Sequence, residues 1–230
     1  MSRRAVWVSL LMCLALLAGA APSAAQRPVE WPRESPPPPL PPREATFPPY
    51  EIRMLANGLQ VVVVMHDEQP AVNLRLMIGA GAASDPEGKN GVAALAGQLL
   101  DQGTTSRTAT EIAESIDTVG GILSVGAGTD LSFVNVLVMQ DSFDFGVDLV
   151  AEIARNPSFE PAEIDRQRQQ VLSGLQVSYD DPAYLAGVVF GRLVYGGHPY
   201  GMPHNGTQAS VLGITREDLR GFHETYYAPN

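Results

Sequence analysis

The chain is nearly without cysteine: Cys13 is the only one, and it lies inside an N-terminal apolar run. Once that run is removed no thiol remains for a disulfide or a cysteine nucleophile, so stability has to come from an ordinary hydrophobic core. Positive charge is scarce as well, with 15 Lys and Arg against 25 Asp and Glu and a formal charge of −10. Nucleic acid and anionic membrane surfaces are poor partners for such a chain. There is no G-x-S-x-G elbow to present a serine nucleophile. The stretch Gly79-Ala80-Gly81-Ala82-Ala83 lacks the G-K-[ST] ending and the G-x-G-x-x-G spacing of a phosphate cradle, and reads as a turn. The four histidines, His66, His198, His204 and His223, match no zinc spacing. No internal repeat is visible.

What is present divides into three parts. Met1-Ser2-Arg3-Arg4 is basic, Ala5 to Ala20 is apolar, and Ala21-Pro22-Ser23-Ala24-Ala25 is small and breaking, the order of a secretory signal peptide over residues 1–25. The run is short for a bilayer span, and Leu10-Leu11-Met12 ahead of Cys13 disfavour a lipid anchor. Cleavage leaves 13 basic against 25 acidic residues, a charge of −12, and predicts a periplasmic or secreted protein with no membrane insertion. Residues 26–49 are rich in proline, notably Ser35-Pro36-Pro37-Pro38-Pro39-Leu40-Pro41-Pro42, and read as a stiff solvated tether.

The folded part is expected from residue 50 to residue 230; with 45% hydrophobic residues in the whole chain it can bury a sizeable core. Glu51 to Leu55 and Leu59 to His66 read as strands joined at Asn57-Gly58, and Ala71 to Ala80 as a third. The segment Gly91 to Thr104 has Val92, Leu95, Leu99 and Leu100 at helical spacing, with Asn90 as the expected N-cap and Gly103 as the stop. Thr108 and Glu111 match a capping box for a helix ending at Gly120-Gly121. Ile122 to Val125 and Leu131 to Met139 are expected strands, followed by helices from Asp141 to Ala154, from Pro161 past Leu175, from Asp181-Pro182 to about Tyr195, and from Thr215 past Phe222. Strands in meander followed by helices imply an α+β two-layer sandwich, a mostly antiparallel sheet with helices packed on one face.

Several short stretches fall in one order: Asn57-Gly58-Leu59, the Gly79 to Gly91 loop, Gly103-Thr104, Gly120-Gly121, Asn156-Pro157-Ser158-Phe159, His198-Pro199-Tyr200-Gly201, Gly206-Thr207, and Phe222-His223 with Tyr226-Tyr227. Each alone is weak. Together with the Gly91 to Thr104 helix they make residues 50–230 similar to the N-terminal domain of the insulinase and pitrilysin-type zinc metallopeptidases, relatives of the mitochondrial processing peptidase. The resemblance implies that family's fold, and a chain that continues past Tyr-Ala-Pro-Asn230 into a further strand and a second similar domain.

In active members, the resemblance implies, the helix carries H-x-x-E-H, in which two histidines bind zinc and the glutamate activates water, while a glutamate on a later helix completes the site. Here Ala94 and Gln98 match the histidines, Gly97 the glutamate, and Gly174 the later ligand, within Gln167-Arg168-Gln169-Gln170-Val171-Leu172-Ser173-Gly174. A methyl cannot ligate, a carboxamide is a poor zinc ligand, and glycine cannot take a proton. No catalytic residue, metal or other cofactor is expected, zinc belonging to the active members. Non-catalytic members pair with a catalytic subunit around an unfolded peptide, and this role is expected here, against two alternatives: a zinc metalloendopeptidase with ligands of another kind, and a stand-alone peptide-binding or scaffold protein. Gln167, Arg168 and Gln169 are expected on a solvated helix face. Arg75 lies on a third strand whose edge suits an added peptide strand by analogy with the family.

Overall fold

A computed structural model describes residues 48–66 and 68–229. The signal peptide, and the tether up to residue 47, lie outside the described residues. Among the described residues five strands and seven α-helices follow in chain order: β1 (Tyr50–Met54), β2 (Gln60–Val64), β3 (Ala71–Ile78), α1 (Val92–Leu99), α2 (Ala109–Thr118), β4 (Ile122–Ala127), β5 (Ser132–Met139), α3 (Phe143–Arg155), α4 (Pro161–Tyr179), α5 (Pro182–Tyr195), α6 (Gln208–Gly213) and α7 (Arg216–Tyr226). All strand pairing is antiparallel: β1 with β2 as a hairpin, and β3-β5-β4 as a three-stranded sheet with β5 in the centre.

The fold is α+β, with the helices on one face of the sheet. The alternation of β5 decides which face. Val134, Val136 and Val138 are buried against Ile112 and Ile116 of α2 and Leu149 and Ile153 of α3. Phe133, Asn135 and Leu137 point the other way and stay partly open. A second cluster gathers Val92, Leu95, Ala96 and Leu99 of α1 with Ile164 of α4 and Leu219 and Phe222 of α7. Tyr227 packs against both clusters. Polar ties fix the ends. Thr104 Oγ1 donates to Glu152 Oε1 at 2.6 Å and Arg107 Nε lies 3.3 Å from Glu152 Oε2, holding the Gly103-Thr104 turn on α3. Lys89 Nζ reaches Asp218 Oδ2 at 2.7 Å and the Gly213 carbonyl at 2.6 Å, holding the loop before α1 on α7.

Three expectations are corrected. Asn90 is not the N-cap of α1: Gly91 takes that place in the left-handed region, φ 100°, with no side-chain bond of its own. The helix ends at Leu99 rather than running to Gly103, whose φ of 125° serves the following turn. Asp141 does not cap α3; residues Gln140–Ser142 form a 3-10 turn and the helix starts at Phe143. The short helix α6 was not expected, although Thr207 caps it through Ser210 in a capping box. Its six residues are too few for a periodic apolar signal. The Thr108–Glu111 box is present as read.

Candidate functional site

The helix α1 is the place to build from, because it is buried on nearly every side. Its N-terminus leaves backbone N–H groups that need an acceptor. Asp85, in the loop before it, supplies both oxygens: Oδ2 accepts from the Gly91 N–H at 2.6 Å and Oδ1 from the Ala93 N–H at 2.7 Å. Burial pushes the Asp85 carboxyl up to about 6, against the pull of those two donors. Sequence reasoning missed this cap; the signal was an acid in an Asp-Pro turn shortly before an apolar helix.

Ala94 is 3% exposed and Gly97 is buried. A Cβ placed on Gly97 would lie 2.7 Å from the Gly126 carbonyl carbon and 2.8 Å from the Ala127 nitrogen, both backbone atoms of β4. Helix and strand therefore meet backbone to backbone at the position that the resemblance matches to the general base. Only a residue without a side chain allows this approach. In the sequence Gly126 reads as a break after the strand Ile122 to Val125; instead β4 runs through it to Ala127, and a strand glycine carries no label saying what approaches it.

Gln98 is the one residue of α1 that is not buried. Its Oε1 accepts from Gln167 Nε2 of α4 at 2.9 Å. One turn on, Gln102 Oε1 accepts from Arg166 Nη2, so two side-chain pairs tie the segment to α4. The expectation of a solvated Gln167-Arg168-Gln169 face is therefore corrected. Gln167 and Arg168 are partly buried, and Arg168 Nη2 donates to the Ile214 carbonyl at 2.9 Å; Gln169 alone is exposed. Gly174 lies two turns beyond Gln167, and a Cβ there would meet nothing within 4 Å. The structure thus brings Ala94, Gly97 and Gln98 together on α1 and joins α4 to them through Gln167, while Gly174 faces open space.

The donor set at these positions is a methyl, a carboxamide and two hydrogens, which does not fit zinc. Among the described residues no group of three or more His, Cys, Asp or Glu stands close enough to hold a metal ion. The histidines of the described chain are dispersed. His223 Nε2 bonds to the Ala154 carbonyl at 2.8 Å with its ring stacked on Tyr227, and burial lowers its pKa. His198 Nδ1 accepts from the Tyr200 N–H at 3.2 Å beside the Tyr200 ring. His204 is half-buried, and burial lowers its pKa as well. Arg75 extends over the Phe133 ring at 5.4 Å, on β3, which among the described residues pairs only with β5.

The sequence model of the family described as Insulinase (Peptidase family M16) matches residues 61–193, more than half of the chain. The chain is similar to an uncharacterized zinc protease of Mycobacterium leprae, 31% identical over 175 residues covering 76% of this chain and 39% of that protein. It is also similar to one of Mycobacterium tuberculosis, 29% identical over 86% of this chain and 44% of the relative. Among solved structures it resembles a peptidase M16 inactive domain from Pseudomonas fluorescens, with a TM-score of 0.75, 28% identity, and coverage of 79% of this chain and 44% of that one. A protease from Helicobacter pylori shares the fold, with a TM-score of 0.74 at 24% identity over 80% of this chain and 44% of the other. The chain spans about two fifths of the length of the relatives it matches. With fold, motif order and sequence model in agreement, the chain belongs to the insulinase family of peptidases.

Proposed function

We propose that this insulinase-family peptidase homologue is catalytically silent and serves as the substrate-holding subunit of an exported heterodimeric zinc peptidase. The observation that carries the reading is the contact of Gly97 with the β4 backbone at Gly126 and Ala127. A site that had lost only its ligand side chains would keep room for them. Here the position of the base is occupied by main chain. Similarity to a domain described as inactive supports the reading. Among the described residues the outer edges of β3 and β4 carry no paired strand, in keeping with a holding role by strand addition. The basic N-terminus followed by Ala5 to Ala20 supports export.

In this role the chain supplies no general base and no metal. It shapes part of a chamber and keeps a peptide extended for a partner that carries H-x-x-E-H. The experiment is to express the mature protein with a homologue bearing H-x-x-E-H encoded nearby, purify through a tag on this chain, and assay cleavage of an unfolded polypeptide. Equimolar recovery, with cleavage that needs both chains, is the expected result. Recovery of this chain alone, with full activity in the homologue alone, points to the stand-alone scaffold and contradicts the proposal.

A further inference from the structure

The helix α5 has two unlike faces. Tyr184, Val188 and Gly191, at i, i+4 and i+7, form its partly buried stripe. The Tyr184 ring lies 6.2 Å from that of Tyr179 on α4, and a Cβ on Gly191 would come within 4.0 Å of the Tyr200 carbonyl oxygen. The opposite side carries Leu185, Val189, Phe190, Leu193 and Val194, all exposed. Leu185, Val189 and Leu193 make one ridge at i, i+4 and i+8, the kind that interdigitates with the same ridge on another helix. The five side chains present about 600 Å² of surface, at the top of what a monomer's largest apolar patch shows and near the roughly 800 Å² that each partner gives to a standard interface.

Charge decides what fits this face. Arg192 is the only charged residue of α5, and Asp181 is its N-cap. They are three helical turns apart at about 3.6 residues per turn, so both stand on one flank of the ridge. Among the described residues neither forms an ion pair: Asp181 Oδ1 accepts from the Ala183 N–H at 2.9 Å, and Arg192 Nη1 reaches Met202 Sδ at 3.4 Å. A lipid surface is a poor match, because a helix lying on a membrane needs a basic polar face and this chain has a formal charge of −10. The face is instead complementary to itself. A second α5 laid antiparallel, with a two-fold axis near Val189, sets Leu185 against Leu193 of the other copy and brings each Asp181 to the flank that holds the other copy's Arg192. The same arrangement opposes the two helix dipoles.

We infer that the outer face of α5 is a self-association surface, on which a second copy of this chain packs its own α5 antiparallel about that two-fold axis. The inference goes beyond the holding role and does not depend on it.

The test is analytical ultracentrifugation of the whole mature chain over a concentration series, with the variants Leu193→Asp, Asp181→Arg and Arg192→Asp. Wild type is expected to pass from monomer to dimer with a dissociation constant of about 10 μM, as suits an interface somewhat under standard size. At the lower concentrations used to measure unfolding, mass action leaves the chain monomeric with α5 open. Leu193→Asp should weaken dimerisation at least about tenfold by placing a charge in the contact, with its melting temperature at high dilution unchanged. Asp181→Arg and Arg192→Asp each set like charges on facing flanks and should weaken it about tenfold alone. An equimolar mixture of the two restores opposite charges at both flanks and should dimerise within about threefold of wild type. A wild type that stays monomeric throughout overturns the inference, as does a dimer that Leu193→Asp leaves intact. A mixture no tighter than either variant alone overturns the antiparallel packing. Loss of recovery with the H-x-x-E-H homologue in Leu193→Asp, with wild type alone a monomer, assigns the face to that heterodimer: the inference then fails and the holding role stands.

Discussion

Two helices of similar apolar character meet opposite fates in this domain. In α1, Val92, Leu95, Ala96 and Leu99 are enclosed between α4, α7 and the sheet, and the helix shows solvent one glutamine. In α5 no residue is buried at all, and Leu185, Val189, Phe190, Leu193 and Val194 lie open, Leu193 to 79%. Periodicity and composition predict both as helices and α1 as a buried one, but give no sign that α5 lies open. Burial belongs to the tertiary arrangement, and what distinguishes α1 is the set of elements around it: Asp85 at its start, β4 against Gly97, α4 against Gln98.

The largest expected effect tests that enclosure. Gly97→Glu drives a side chain into the β4 backbone and buries a charge, and should destabilise the domain by at least about 4 kcal/mol, enough to abolish folding of a marginal protein. Gly187→Glu on α5, where a Cβ meets nothing within 4 Å, should leave stability unchanged or slightly raised, since glycine is the poorer helix former. Circular dichroism melts of the two variants decide. Next, Leu95→Ala should cost about 2–5 kcal/mol in urea unfolding, while Leu193→Ala on the open face should stay within about 0.5 kcal/mol. Equal costs would show that α5 is covered in the isolated chain.

The Asp85 cap yields a pH signature. A carboxyl whose folded pKa, about 6, lies above its ordinary value favours the fold when protonated. Its contribution is complete below the ordinary carboxylate range near pH 4 and is lost as pH rises through about 6. Wild type should therefore lose stability relative to Asp85→Asn between about pH 4 and 7, read as urea midpoints across that range. A wild type that instead gains on Asp85→Asn as pH rises would mean that the two backbone donors outweigh burial. The smallest effect concerns Gly174 of α4: Gly174→Ala should stabilise by about 0.5–1 kcal/mol, because its Cβ enters open space and alanine holds a helix better.

Much of the fold was legible. The Asn57-Gly58 turn, the Thr108–Glu111 box, and the alternation of β3 and β5 are local signals, and each element they predict is present. The cap of α1 was misread because Asp85 reaches it from six residues away rather than from the adjacent position, where capping rules look. The end of α1 was misread because Gly103 serves the Thr104 turn that Glu152 holds, a long-range contact. At the candidate site, the identities at Ala94, Gly97, Gln98 and Gly174, which the resemblance matches to the ligands and the base, could be read directly. What could not be read was that β4 fills the space beside Gly97, or that Gln98 has found a carboxamide partner on α4. Both depend on two segments far apart in sequence, and neither leaves a pattern in either one.

We propose that this domain holds a peptide and does not cut it. The most direct measurement is zinc content together with peptide hydrolysis of the purified mature chain alone, dialysed against zinc and then metal-free buffer. A holding domain should carry far less than one zinc per chain and cleave no unfolded polypeptide. One tightly held zinc per chain, with cleavage abolished by a chelator and restored by zinc, would contradict it.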